Sequence, residues 1–202
     1  MQRNFLKLTG VLVLVLAACN KEDGIEIANH DSNQMMNLMH TMMSQMEAMP
    51  KTNDPEVDFA KMMVMHHQGA INMANLELQA GKNDSLKRTA QKIITEQQAE
   101  IKQFNSIISG LSVDNTDAAF TMEQSTNMMK MGKVADVQLI TDDIDNDFAT
   151  LMAVHHQAAV DNASSYLHHG NNTQLKTMAN NIVVSQNSEI QELAEWLKKN
   201  KR

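Results

Sequence analysis

The sequence is poor in aromatic residues, glycine, proline and cysteine. Of its 202 residues, 3% are aromatic, seven are glycine, two are proline and one is cysteine. A chain with 43% apolar residues and so few helix-breaking residues is typical of a nearly all-helical protein. Because the single cysteine is Cys19, thiol ligands are excluded from the rest of the chain.

Basic residues are also scarce. Lys and Arg number 17 against 24 Asp and Glu, which gives a formal net charge of −7. An acidic chain without a basic stripe argues against a nucleic-acid partner. The sequence also has no Rossmann loop, P-loop or nucleophile elbow, so it carries none of these enzyme signatures.

Residues 1–18 are a predicted lipoprotein signal peptide. Two basic residues precede the apolar run 8–18, which has the length of a signal sequence but is too short to span a membrane. The LAAC stretch at 16–19 resembles the bacterial lipoprotein signal, in which the cysteine is lipidated and becomes the new N-terminus. We therefore expect export, anchoring through Cys19 to a membrane on the periplasmic face or the cell surface, and a tether at 19–31. A cleaved signal of a soluble protein, with an incidental cysteine, is the alternative.

Methionine, with 18 residues, is the abundant residue type. Within 35–49 the methionines recur every three or four residues, which predicts a stripe along one helix face. Thioether ligands at this density favour Cu(I) or Ag(I) over zinc, iron or magnesium. Ordinary core packing is the alternative, because methionine fills irregular gaps readily. The candidate ligands in this segment are Met35, Met36, Met39, His40, Met42, Met43 and Met46.

One stretch of the sequence occurs twice, at 58–78 and again at 147–167. Each copy keeps a methionine three and four residues before a pair of histidines, a spacing that puts thioether and imidazole on one helical face. Because both copies keep this cluster, it predicts metal sites built between facing helices of a bundle. The alternative is core methionines with histidines satisfied by hydrogen bonds. The candidate ligands are Met63, His66 and His67 with neighbouring Met62, and Met152, His155 and His156.

A Gln-x-x-Glu motif follows each copy of the repeated stretch. It comprises Gln97 with Glu100 and Gln186 with Glu189. A carboxylate beside a metal-bound histidine would hold the ring and its tautomer through the second nitrogen. The glutamates are equally expected to pair with the histidines simply to fix the packing of the bundle.

The periodicity predicts six helices in two similar triplets. The predicted fold is all-α, a duplicated helical repeat that forms a four-helix bundle with additional Met-rich helices. The bundle domain spans 32–199 and is made of repeats 32–110 and 117–199. Capping residues predict that the first helix begins at Asp31 or Ser32 and that the fourth ends before Gly132.

Two MxxHHQxA stretches, each followed by a QxxEI helix, resemble the bacterial family called domain of unknown function 305. The resemblance covers 32–199. It implies a ferritin-like helical bundle, exported from the cytoplasm, that binds copper through Met and His and contributes to copper resistance. The methionine-rich lead-in also resembles the copper-binding segment of some members. One departure is that Met62 and Met65 become Leu151 and Val154 in the second copy, so the second site offers fewer thioethers.

The sequence therefore predicts an exported copper-binding protein without enzymatic activity. We expect it to sequester or buffer Cu(I), or alternatively Ag(I) or Cu(II), or to hand copper on to a transfer partner, and so to contribute to copper tolerance or trafficking. One alternative is a structural or interaction lipoprotein in which methionine and histidine merely pack. The other is a ferritin-like metal oxidase, disfavoured because neither His-His helix contains the Glu-x-x-His pair that such centres use.

Overall fold

The computed structural model describes residues 30–200, which form a short 3₁₀ helix at His30–Ser32 and six α-helices. The predicted all-α fold and its six helices are confirmed. The predicted signal peptide and Cys19 lie outside the described residues. The helices are α1 Gln34–Glu47, α2 Pro55–Ala80, α3 Asp84–Ile108, α4 Ala118–Asp136, α5 Ile144–His169 and α6 Thr173–Lys199.

Helices α2, α3, α5 and α6 form the predicted four-helix bundle. The α2 helix packs along α3, α5 packs along α6, and the two pairs join mainly through α2 and α5. The Met-rich helices α1 and α4 cover the outer side of α2 and α5 and also touch each other. None of these six helices combines the length and apolar character needed to cross a bilayer.

The N-terminal ends of α2 and α5 are fixed by equivalent buried carboxylates. Asp58 accepts hydrogen bonds from the Thr52 backbone N–H at 2.9 Å, and Asp147 accepts one from the Thr141 backbone N–H at 2.9 Å. The Asn33 side chain donates to Asp147 at 2.7 Å and caps the first turn of α1. These bonds tie α1 to the start of α5.

Two predicted helix limits are wrong. The N-cap of α1 is Asn33 rather than Asp31 or Ser32, because those two residues belong to the short 3₁₀ helix. Helix α4 does not stop before Gly132 but continues to Asp136.

Glycines inside the helices let α1 lie close to its neighbours. A Cβ at Gly132 would collide with the Met43 side chain, and a Cβ at Gly69 of α2 would collide with Met42. Both glycines therefore leave room for a methionine side chain of α1 to pack against the helix, and neither glycine ends its helix. They place the methionines of α1 directly against α2 and α4.

Candidate metal site

The two histidine pairs meet at the centre of the bundle, where α2 contacts α5. All four imidazoles are fully buried. The rings of His66 and His155 pack on each other, with centroids 3.7 Å apart and planes tilted by 38°. Because the nitrogen lone pairs lie in the ring planes, two rings packed in this way do not direct nitrogens at a common ion between them.

The glutamates of the Gln-x-x-Glu motifs lie beside the histidines, as the sequence predicts. His67 Nε2 is 2.6 Å from Glu100 Oε2, and His156 Nε2 is 2.9 Å from Glu189 Oε2. The second pair is more enclosed, since the Glu189 side chain is 3% exposed against 22% for Glu100. The Lys92 ammonium lies 3.5 Å from Glu189 and links α3 to α6 there.

Burial controls the protonation of this centre. It lowers the pKa of His66 and of His155 well below the usual value, and neighbouring histidines lower it further. Burial also raises the pKa of Glu96 to about 7, with help from its neighbour Glu189. For Glu189 burial raises the pKa, but His156, Glu96 and Lys92 together outweigh burial and lower the pKa below its usual value. The stacked imidazoles are therefore neutral at pH 7.

Several polar groups of the centre lack a protein partner among residues 30–200. Neither nitrogen of His66 is hydrogen-bonded, and the side-chain amides of Gln97 and Gln186 are both unpaired. A buried polar group without a partner costs about 1–3 kcal/mol. Across the same residues, however, no group of three or more His, Cys, Asp or Glu side chains is placed to hold one metal ion.

A different part of the structure gathers soft donors. A cavity of about 450 Å³ opens between α1 and α4 and reaches α2. We call it the methionine cavity. The Met62 side chain, 2% exposed, contributes from α2, while Met129 of α4 lies at the surface. Seven methionines line it: Met43, Met46, Met49, Met62, Met128, Met129 and Met131.

A histidine and a glutamine also line the methionine cavity. His40 Nε2 lies 2.8 Å from Asp136 Oδ1. When Nε2 carries the proton and donates it to this carboxylate, Nδ1 keeps a lone pair that can bind a metal ion. Gln124 is 2% exposed, and its amide nitrogen has no partner in the described part of the chain. The cavity thus offers thioether and imidazole groups, neither of which needs to be charged to act as a ligand, whereas the Gln124 NH2 group can only donate hydrogen bonds.

The structure places some of the predicted ligands in the methionine cavity and the others elsewhere in the protein. His40, Met43, Met46 and Met62 line the methionine cavity. Other predicted ligands are buried away from the lining of this cavity: Met35, Met36, Met39, Met42, Met63 and Met152.

Sequence reasoning missed Gln124 and the methionines of the cavity wall that come from α4. Met128, Met129 and Met131 lack the regular spacing of the α1 stripe, so they gave a weaker signal. Met49 follows the end of α1 and joins the same cavity. The high methionine content of 122–131 was the available clue.

A family comparison identifies the chain. The sequence profile described as Domain of unknown function (DUF305) matches residues 15–108 and 56–197, which together cover most of it. The chain belongs to the DUF305 family. The predicted resemblance is confirmed, and the repeated stretches 58–78 and 147–167 of this DUF305 protein both fall within the matched residues.

Solved structures with a similar fold include metal-bound proteins. CopM in a Cu(I)-bound form is 27% identical with a TM-score of 0.55, covering 73% of this chain and 98% of that one. CopM in a Cu(II)-bound form is 30% identical with a TM-score of 0.56, covering 71% and 96%. A DUF305 protein from Streptomyces coelicolor is 23% identical with a TM-score of 0.57, covering 74% and 95%. No curated protein sequence matches this DUF305 protein.

Proposed function

We propose that this DUF305 protein binds Cu(I) in the methionine cavity and buffers or sequesters the ion outside the cytoplasm. One observation carries the proposal: seven thioethers converge on one cavity. They come from α1, α2 and α4 and from Met49, which follows α1. CopM, which shares the fold at 27% identity, has Cu(I)-bound and Ag-bound forms. Export and lipid anchoring belong to the same proposal and rest on residues 1–19 of the sequence.

The chemistry of the cavity suits a soft monovalent ion. Thioether sulfur prefers Cu(I) and Ag(I) to harder divalent ions. Thioethers bind without losing a proton and do not form disulfides, so they remain competent ligands in an oxidising compartment. Glu47 in the cavity lining and Asp136 beside His40 supply negative charge close to the cation.

The central histidines are better suited to holding the bundle together. The His155 Nε2–H donates to the His66 backbone carbonyl at 3.1 Å, which joins α5 to α2. His67 is engaged by Glu100, so one of its nitrogens is already occupied. A metal site at these histidines remains a prediction from the sequence, and an ion bound jointly by His66 and His155 would require their packed rings to separate.

The ligand types in the methionine cavity support metal binding without catalysis. Dinuclear ferritin-like oxidases use Glu-x-x-His pairs and several inward carboxylates. The methionine cavity instead presents neutral sulfur donors, and Glu47 is the carboxylate in its lining. Catalytic oxidation of Cu(I) or of an organic reductant by the purified protein would contradict this part of the proposal.

Paired substitutions test the location of the site. Met46→Leu with Met131→Leu removes two buried thioethers from the cavity, while Met36→Leu with Met39→Leu makes the same change in the core of α1. Exchanging Met for Leu conserves volume and usually costs less than about 1.5 kcal/mol per site, so both variants should fold.

The readout is a Cu(I) titration against a competing chelator. We expect the cavity variant to lose affinity by about tenfold or more, as removal of ligand-supporting groups typically does, and the core variant to match the unaltered protein. Equal affinity in the unaltered protein and the cavity variant would refute the proposal. A loss confined to a third variant, His66→Leu with His155→Leu, would place the ion at the centre of the bundle.

A further inference from the structure

The thioethers of the methionine cavity are graded by depth. Met129 is 58% exposed. Behind it lie the half-buried Met128, Met43 and Met49, and at the deepest level are Met46, Met62 and Met131, each 5% exposed or less. The lining of the cavity therefore combines an exposed thioether, half-buried thioethers and buried ones.

Exposure of Met129 serves no packing purpose. An apolar side chain that is more than half in water contributes little hydrophobic stabilisation. The same helix carries a second exposed methionine, Met122, which is 68% exposed and does not line the cavity. The two residues are thus alike in chemistry, helix and exposure, and they differ in access to the cavity.

An ion that enters the cavity must exchange its ligands in steps. Buried Met46, Met62 and Met131 cannot reach Cu(I) while a carrier molecule still surrounds it, because their side chains are almost fully covered. A ligand at the mouth can bind the ion before the carrier has left. Such a ligand lowers the barrier to exchange in both directions, since it stabilises the intermediate through which binding and release both pass.

We propose that Met129 is the first protein ligand of incoming Cu(I) and passes the ion to the half-buried and then the buried thioethers. The inference rests on the proposed function. A lone pair of the Met129 sulfur bonds to copper as one carrier ligand leaves with its own electron pair. Copper stays Cu(I), and the thioether neither gains nor loses a proton. The carrier is a Cu(I) complex whose ligands exchange readily.

The charged side chains near Met129 and in the cavity lining largely compensate one another, so they do not oppose the approach of a cation. The nearest basic neighbour in sequence, Lys130, is paired with Asp161 of α5 at 2.8 Å, which compensates its charge. Glu47 lies in the lining of the cavity and adds negative charge, which partly balances Lys51 in the same lining.

The test compares Met129→Leu with Met122→Leu in the otherwise unaltered chain. Cu(I) is supplied as its bicinchoninate complex, and stopped-flow absorbance follows the transfer to the protein. We expect Met129→Leu to slow Cu(I) uptake by about tenfold and to slow its release as well, so that the equilibrium affinity falls by a smaller factor than the uptake rate. Met122→Leu should behave as the unaltered chain does.

Each other outcome has a defined meaning. Unchanged uptake by Met129→Leu overturns the inference while leaving the proposed function intact. A lower affinity at an unchanged uptake rate also overturns it, because Met129 would then be a resident ligand. If Met122→Leu slows uptake equally, a general effect of surface thioethers replaces the inference. Absence of Cu(I) binding by the unaltered chain overturns the proposed function and this inference together.

Discussion

Replacing Gly132 with alanine should weaken Cu(I) binding while leaving the fold intact. Gly132 lies within α4, and a Cβ there would overlap the terminal methyl and the sulfur of Met43, which lines the methionine cavity. The overlap falls on the outer part of a flexible side chain, so Met43 can rotate away without a shift of backbone. Its sulfur then leaves the position that it holds in the cavity.

The Gly132→Ala substitution has two opposite effects on the free energy of unfolding, and they nearly cancel. Alanine is favoured over glycine inside a helix by about 1 kcal/mol. Overpacking a well-filled contact costs about 1–3 kcal/mol, and the lower end applies here because Met43 is half-buried and unbranched. We expect a change in unfolding free energy of no more than about 1 kcal/mol in either direction. Displacing one sulfur from the set should lower Cu(I) affinity by about tenfold.

Urea unfolding followed by circular dichroism and Cu(I) titration against a chelator measure the two effects separately. Gly110→Ala is the matched control, since a Cβ there meets only the Ile107 carbonyl oxygen at an ordinary 3.7 Å. The control should leave affinity unchanged. A stably folded Gly132→Ala protein with the affinity of the unaltered chain would refute the assignment of Met43 as a ligand.

Two further predictions concern pH. Burial raises the pKa of Glu77 to about 8, so the contribution of the protonated side chain to stability is full below the unfolded pKa near 4.5 and is lost as pH rises through about 8. Urea unfolding at a series of pH values should show this decline in the unaltered chain, and Glu77→Gln should remove it. A decline of the same size in Glu77→Gln would contradict the assignment to Glu77. The hydrogen bond with Asp117 raises the pKa of His169, so that pair stabilises the fold fully below about pH 6.5 and loses its effect above the raised value. His169→Gln should therefore lower stability at acidic pH and have little effect at alkaline pH, and equal losses at both would argue against an ionic contribution.

Much of the fold could be predicted from local sequence because the helices carry their own start signals and apolar seams. Asp54 caps α2 and is followed by Pro55 at the first helical position, a start signal that can be read from the sequence. Gly81 and Gly170 follow the ends of α2 and α5, and their backbones are extended. They are glycines because a Cβ at either position would collide with the side chain of Glu77 or Tyr166.

The methionine cavity could not be predicted in the same way because it depends on which helix faces meet. The stripe of α1 was clear from its spacing, yet its partners Met128 and Met131 belong to a helix that is distant in sequence. Gly69 and Gly132 are the residues that set this contact, and both look unremarkable as single glycines in a helical pattern. A small residue opposite a methionine is a property of the tertiary structure.

The pairing of histidine with glutamate was predictable, whereas the stacking of the histidines was not. Glu100 and Glu189 lie beside His67 and His156 because equivalent positions on adjacent helices meet within each repeat. His66 and His155 instead belong to different repeats and meet across the bundle. Their 3.7 Å approach follows from how the two repeats pair, which no pattern within one repeat encodes.

The divergence between the repeats explains why the soft donors gather on one side. Met62 of α2 lines the methionine cavity, and its counterpart in α5 is Leu151, which is fully buried. A second groove of about 310 Å³ lies between α4 and α5, where Val154 stands in place of Met65. Met131 is the one thioether in that groove, so the second side lacks the sulfur atoms to hold Cu(I) in the same manner. The two repeats therefore share a helical scaffold, and within residues 30–200 the difference in methionine content concentrates the thioethers on the side of the first copy.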